Sequence, residues 1–245
     1  MDKFFISTID EKAPILAEQY GFGLEIAEFC TPWFLDTEFE RIDPMIRKKM
    51  SCSNRFVLHA PFSELFPCAI DPKIRLVAAE RYRQVIRIAQ EYGIFKVVVH
   101  GGYNPRIYFP IWYIEQSVLF WKEFVNEIPE GMVFCLENVF EEEPAMLTEI
   151  VRQVDDPRIR ICLDVGHVNA YSQVPVPTWL EECADMVGHF HIHNNDTTRD
   201  SHSQLMEGTL PMKELLAAIE EKYPHATITL ELMNAEPSVR WLLEG

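Results

Sequence analysis

The chain has 245 residues, 48% of them hydrophobic, and 22 Lys plus Arg against 38 Asp plus Glu leave a formal charge of −16 at pH 7. That length and core fraction fit one domain, and no apolar run approaches the roughly 20 residues of a membrane span, so no membrane partner is expected. Nucleic-acid binding usually shows a basic face, but the only Lys/Arg-rich stretch is Arg47–Lys49, so no nucleic-acid partner is expected either.

The opening MDKFFISTID has too short an apolar stretch for a signal peptide. The cysteines Cys30, Cys52, Cys68, Cys135, Cys162 and Cys183 include no CxxC pair, and Cys135 and Cys162 lie in apolar strand-like runs, which reads as buried reduced thiols. A cytoplasmic protein is expected.

In chain order, short apolar runs predict strands at Phe4–Ser7, Gly23–Ala27, Phe56–Ala60, Lys96–His100, Met132–Asn138, Ile159–Asp164, Gly188–His193 and Thr227–Glu231. Helical spacing between them predicts helices at Lys12–Tyr20, Phe39–Met50, Pro72–Tyr92, Ile111–Glu127, Pro144–Val154, Thr178–Met186, Met212–Tyr223 and Ser238–Leu243. Strands that are nearly all apolar are typical of parallel sheets covered by helices. Regular alternation without a linker predicts an α/β fold, a single (β/α)8 TIM barrel over residues 1–245.

The stretch 161–202 concentrates Asp164, His167, His189, His191, His193, Asp200 and His202. Buried polar groups need partners, and imidazoles with carboxylates are a ligand set for divalent metals. His59, His100, Glu137, Asp164, His191 and Glu231 fall at or near the ends of strands three to eight, and in a (β/α)8 barrel those ends meet on the face that carries active sites. His167 follows in the loop after strand six, and Asp200 and His202 in the loop after strand seven. His189 and His193 flank His191 at period two, one deeper and one beyond the rim, and read as supporting or structural residues; His225 reads as surface.

These pieces, VLHAPF, VVVHGG, LEN, LDVGH, HFHIHNND, DSH and LEL between positions 57 and 232, resemble the xylose-isomerase-like TIM barrels. That superfamily includes sugar and sugar-phosphate isomerases and epimerases, and apurinic endonucleases with three zinc ions. The isomerase branch implies one metal on Glu137, Asp164, His191 and Glu231; the endonuclease branch adds His59, His100, His167, Asp200 and His202. The chain departs from the endonuclease pattern at HNND, which lacks an expected lysine, and at Met206, where glycine is usual. Without metal, the same side chains would form a polar layer or contact substrate.

Aromatic residues crowd the loops on the expected catalytic face. Trp33, Tyr103 and Trp112 are candidates for stacking on the CH face of a sugar, with helix packing as the alternative. Arg106 and Arg199 are the loop cations best placed for a phosphate or carboxylate, with solvated surface arginines as the alternative. Glu141–Glu143 read as acidic charges opening a helix.

The leading expectation is an isomerase or epimerase of a small sugar or sugar phosphate, using one to three divalent ions (Zn, Mn, Mg or Co) and an ene-diolate they stabilise. By resemblance Glu137 and Glu231 move the proton and His167 orients a substrate oxygen. The alternatives are a trinuclear zinc phosphodiester hydrolase and a non-catalytic sugar-binding barrel. The expected partner is a small carbohydrate, with assembly into a homo-oligomer left open.

Overall fold

The computed structural model describes residues 1–244. Among the described residues the elements are β1 (Phe4–Ser7), α1 (Ala13–Tyr20), β2 (Gly23–Ile26), α2 (Pro32–Asp36), α3 (Phe39–Met50), β3 (Phe56–His59), α4 (Pro72–Tyr92), β4 (Lys96–His100) and α5 (Pro110–Phe124). There follow β5 (Val133–Glu137), α6 (Ala145–Val154), β6 (Ile159–Asp164), α7 (Val165–Tyr171), α8 (Val176–Cys183), β7 (Val187–Ile192), α9 (Met212–Lys222), β8 (Thr227–Leu230) and α10 (Glu236–Glu244).

Each strand pairs in parallel with the next, and β8 returns to β1 through Phe4 with Ile228, Phe5 with Thr229 and Ile6 with Leu230. The result is a closed (β/α)8 barrel, as the alternation predicts. Local chemistry sets the helix ends: Asp71 caps α4 by accepting from the Lys73 N–H at 2.8 Å, and Gly93 ends it at φ 69°. The sequence reading misses α2 and α7, both short, because neither shows an apolar repeat.

The period of two along each strand sorts the residues into two layers. Ile6, Leu24, Leu58, Val97, Val99, Leu136, Leu163, Phe190 and Ile228 belong to the main core, where the helices pack on the barrel. Phe5, Val57, Val98, Cys135 and Cys162 form a separate apolar cluster inside it. A Cβ on Gly23 would meet the Phe5 ring at 2.3 Å, so only glycine leaves room for that ring to plug the barrel. Both thiols are free and buried, as expected. Two residues further along the same strands stand His59, His100, Glu137 and Asp164, so an apolar plug underlies a polar layer.

Candidate metal centre

The polar layer is assembled by strand register. His100 pairs with Glu137, and Asp164 with His191, bringing residues far apart in sequence to one level of the barrel. Glu231 follows β8 directly, its backbone N–H bonded to Ile192 O at 3.3 Å. Asp164 also caps α7, accepting from the His167 N–H at 2.6 Å. The Asn138 side chain donates to Asp164 O and accepts from Asp164 N, both at 2.9 Å, which fixes the end of β6 against β5.

Of five side-chain groups at cation spacing among the described residues, three lie side by side in the polar layer. In the centre, His191 Nδ1 lies 3.2 Å from Glu137 Oε1, 3.3 Å from Glu231 Oε2 and 3.9 Å from Asp164 Oδ2. On one side, His59 Nε2 and His100 Nε2 stand 3.3 and 3.4 Å from Glu137 Oε2. On the other, Asp200 Oδ2 faces His167 Nε2 at 3.2 Å and His202 Nε2 at 3.0 Å, while Asp200 Oδ1 faces His193 Nε2 at 3.4 Å.

The hydrogen bonds on the far side of these rings decide what the near side offers. His59 Nδ1 donates to Ala60 O at 2.9 Å, His167 Nδ1 to Asn138 O at 2.9 Å and His202 Nδ1 to Glu231 O at 2.7 Å. In the neutral ring each Nε2 is then a lone pair aimed at a carboxylate oxygen, and two acceptors face one another only if a proton or a cation sits between them. Two ligand atoms about 2.1 Å from a shared tetrahedral cation stand roughly 3.4 Å apart, which matches most of these separations. Glu137 Oε2, Asp164 Oδ2, Asp200 Oδ1 and both ring nitrogens of His193 are buried without a hydrogen-bond partner. This donor set fits divalent cations.

The electrostatics agree. Burial favours the neutral form of every group here, yet His191 and His100 hold the Glu137 carboxyl well below the usual range, and His191 lowers that of Glu231. The carboxylates Asp164, Asp200 and Glu137 push His167 up against its own burial. His100, where burial wins, falls to about 4, and His202, paired with Asp200, rises to about 9 although burial opposes it. Ionised carboxylates among imidazoles are the state a cation would replace.

All nine residues expected as ligands come together. His193, expected beyond the rim, is instead fully buried in the Asp200 group, stacked on His202 with centroids 4.1 Å apart. Its position depends on Gly166, where a Cβ would lie 1.9 Å from the His193 ring. His202 adopts φ 45°, a left-handed conformation that costs a non-glycine residue stability and is held by its two ring contacts.

Glu25, which the sequence reading passes over, is fully buried and touches His191; a lone carboxylate inside the apolar run GLEI is the available signal. His189 lies deeper in the barrel, as expected. Glu141 is not a helix-opening charge. It is buried, accepts from the Tyr113 hydroxyl at 2.7 Å and the Val139 N–H at 2.6 Å, and burial raises its pKa.

At the mouth, Phe62 lies flat on His100, centroids 4.2 Å apart, and Trp33 is exposed at the start of α2. Tyr103 is buried against Tyr113 at 5.1 Å, and Trp112 Nε1 donates to Cys68 O at 2.9 Å, so packing occupies both. Arg106 and Arg199 are exposed on their loops.

The profile of the xylose isomerase-like TIM barrel family matches residues 21–245. The chain belongs to that family. It is 30% identical to the uncharacterized protein MJ1311 of Methanocaldococcus jannaschii over 75% of this chain and 66% of that one, so it spans just under two thirds of that relative. Among solved structures, a D-tagatose 3-epimerase-like protein is 24% identical at a TM-score of 0.80, covering 99% of this chain and 96% of that one. The TTHB071 protein of Thermus thermophilus, soaked with ZnCl2, is 23% identical at 0.78, covering 99% and 97%. D-psicose 3-epimerase from Clostridium cellulolyticum, with D-tagatose, is 17% identical at 0.71, covering 93% and 83%. At these identities the structural likeness is one of fold. Among the described residues of this xylose isomerase-like barrel, no helix is long and apolar enough to cross a membrane.

Proposed function

We propose that the chain is a divalent-metal-dependent isomerase or epimerase of a small sugar or sugar phosphate. One observation carries this reading: Glu137, Asp164, His191 and Glu231 converge at ligand spacing, and Glu137 and Asp164 each keep a buried oxygen without a partner. A divalent ion held there would supply Lewis-acid polarisation of a carbonyl and its neighbouring hydroxyl, acidifying the adjoining C–H.

The chain's own residues handle the proton. Glu137 and Glu231 meet the same His191 nitrogen, and they act as the base and acid that remove and return it. Glu231 is the more open of the two, its side chain 13% exposed against 1% for Glu137. His167 orients a substrate oxygen. Phe62 and Trp33 present apolar surface at the mouth that suits the CH faces of a sugar and keeps water from the reacting carbon. Imidazole-rich surroundings favour zinc, and manganese, cobalt and magnesium remain candidates. The shared fold with a D-psicose 3-epimerase holding D-tagatose supports small ketoses as the first substrates to test. Cytoplasmic residence and the absence of a nucleic-acid partner belong to the same reading.

A second reading has its own observation. The groups His59/His100/Glu137 and His167/His193/Asp200/His202 flank the centre, and three divalent cations among four carboxylates would make a site suited to a phosphate ester. The two readings part in one assay series. Metal-loaded protein in D2O is offered ketoses and ketose phosphates, and separately a duplex with an abasic site at ~150 mM salt. The isomerase reading expects deuterium next to the carbonyl and no incision; incision without sugar exchange would reverse the order.

A further inference from the structure

Beneath the centre lies a chain of buried polar groups. Glu25 Oε1 is 2.9 Å from His191 Nε2, and Glu25 Oε2 is 2.5 Å from Thr229 Oγ1 and 3.1 Å from both His189 Nε2 and His191 Nε2. His189 Nδ1 is 2.6 Å from Thr227 Oγ1, and Lys96 Nζ stands 2.6 Å from that same hydroxyl and 2.8 Å from Gly188 O. Glu25, His189 and Thr229 are fully buried, so no water competes for these bonds.

The donors in this chain can be assigned in one direction. Glu25, as a carboxylate, only accepts, so neutral His189 carries its hydrogen on Nε2 and donates it to Glu25, which leaves Nδ1 to accept from the Thr227 hydroxyl, itself accepting from Lys96. Thr229 donates to the same carboxylate. An ionised carboxylate only accepts, so the remaining neighbour, His191 Nε2, must also donate. Neutral His191 therefore holds its hydrogen on the Glu25 side and directs the lone pair of Nδ1 at Glu137, Asp164 and Glu231.

Glu25 also stands near enough to His59 and His191 to be counted as a ligand in its own right. Its hydrogen bonds argue against that role: both of its oxygens are taken, whereas Glu137 Oε2 and Asp164 Oδ2 have none.

We propose that Glu25 is a positioning residue, held by His189 and Thr229, that fixes the ring orientation and tautomer in which His191 offers Nδ1 to a divalent cation. The inference rests on the metal reading of the centre. It explains why a charged group sits in the otherwise apolar strand β2, and why His189 lies beneath His191 on β7. A carboxylate behind a ligating imidazole also makes that imidazole a stronger donor.

The test uses the metal-free chain titrated with Co2+ in competition with a chromophoric chelator, with the visible Co2+ spectrum and thermal unfolding recorded for each variant. Glu25→Gln keeps the shape but turns an amide N–H toward groups that all donate. It should lower Co2+ affinity about 10- to 100-fold and shift the visible bands, with the number of bound ions unchanged. Thr229→Val removes one donor to Glu25 and a 2.9 Å contact with His189 Nε2, but no hydrogen bond to His191, and should give a smaller loss in the same direction. If Glu25→Gln does not fold, Thr229→Val alone decides.

Wild-type affinity and spectrum in the folded variants would overturn the positioning role, and loss of a whole equivalent of Co2+ in Glu25→Gln would overturn it by making Glu25 a ligand. Wild-type protein that takes up no Co2+ would remove the metal reading and this inference together. Wild-type uptake with unaltered variants would remove this inference alone.

Discussion

His193 Nε2 lies 3.2 Å from Asp164 Oδ1, the carboxylate whose other oxygen faces His167 at 3.5 Å and His191 at 3.9 Å. Through Asp164 the central group and the Asp200 group share a wall, so the sites are neighbours with separable ligands. Asp200→Ala removes the only carboxylate that belongs to the outer group alone. It should lower the bound metal by one equivalent and leave the centre loaded. His193→Ala should weaken the same position by tenfold or more, in line with losing one imidazole contact to the cation. Metal analysis of Asp200→Ala and chelator competition on His193→Ala, each beside wild type, check this: an unchanged count in the first means Asp200 is no ligand, and an unchanged affinity in the second means the same of His193.

Proton competition should govern the outer position. Asp200 holds His202 at about 9 in the metal-free chain against the opposing effect of burial, so below that pH a cation must displace a proton. Apparent affinity there should rise by about tenfold or more per pH unit between pH 7 and about 9, since His202 and the likewise raised His167 must each give up a proton to the cation. The sign for stability is the reverse. A raised histidine pKa stabilises the metal-free fold fully below the unfolded value near 6.5, and that contribution disappears as pH climbs through about 9. Chelator competition and thermal unfolding of metal-free protein across this range test both slopes.

Much of the barrel is legible in the chain because its signals are local. Apolar runs of four to six residues alternate with capped helices, and ligand-type residues terminate the runs. His193 is not legible as a member of the centre. Extending β7 in a straight line carries it past the rim, but Asn194 pairs with Ser203 in an antiparallel bridge and folds the loop back over the mouth. Glu141 misleads for a related reason: an acidic run before a helix looks like a dipole complement until Tyr113, on a different helix, is found against it. Residue type alone points Tyr103 and Trp112 toward substrate, and only tertiary packing reveals where their rings go.

Gly166→Ala probes the packing that seats His193. The added methyl would fall 1.9 Å from the imidazole, so the ring or the start of α7 must move. A loss of about 1–3 kcal/mol in the metal-free protein is expected, as for overpacking elsewhere in cores. Cation binding at the outer group should weaken with it. Unchanged melting temperature and affinity would mean that His193 has room to turn away at no cost.

Glu137→Gln and Glu231→Gln address the proton transfer. Each keeps the side-chain volume and removes the charge, so turnover on an identified sugar should fall by about 10²- to 10⁴-fold, as for loss of a general acid or base. Circular dichroism should show the barrel intact. Full activity in either variant would end its assigned role.

Both the proposed chemistry and the role of Glu25 require that Glu137, Asp164, His191 and Glu231 hold a divalent cation. The most direct measurement is elemental analysis of protein purified without chelator, beside the Asp164→Asn/Glu231→Gln double variant. At least one equivalent of a transition metal per wild-type chain, with the central equivalent missing from the double variant, is the expected result. Wild-type protein without a bound divalent ion, even after incubation with Zn2+, Mn2+ or Co2+, would contradict the account.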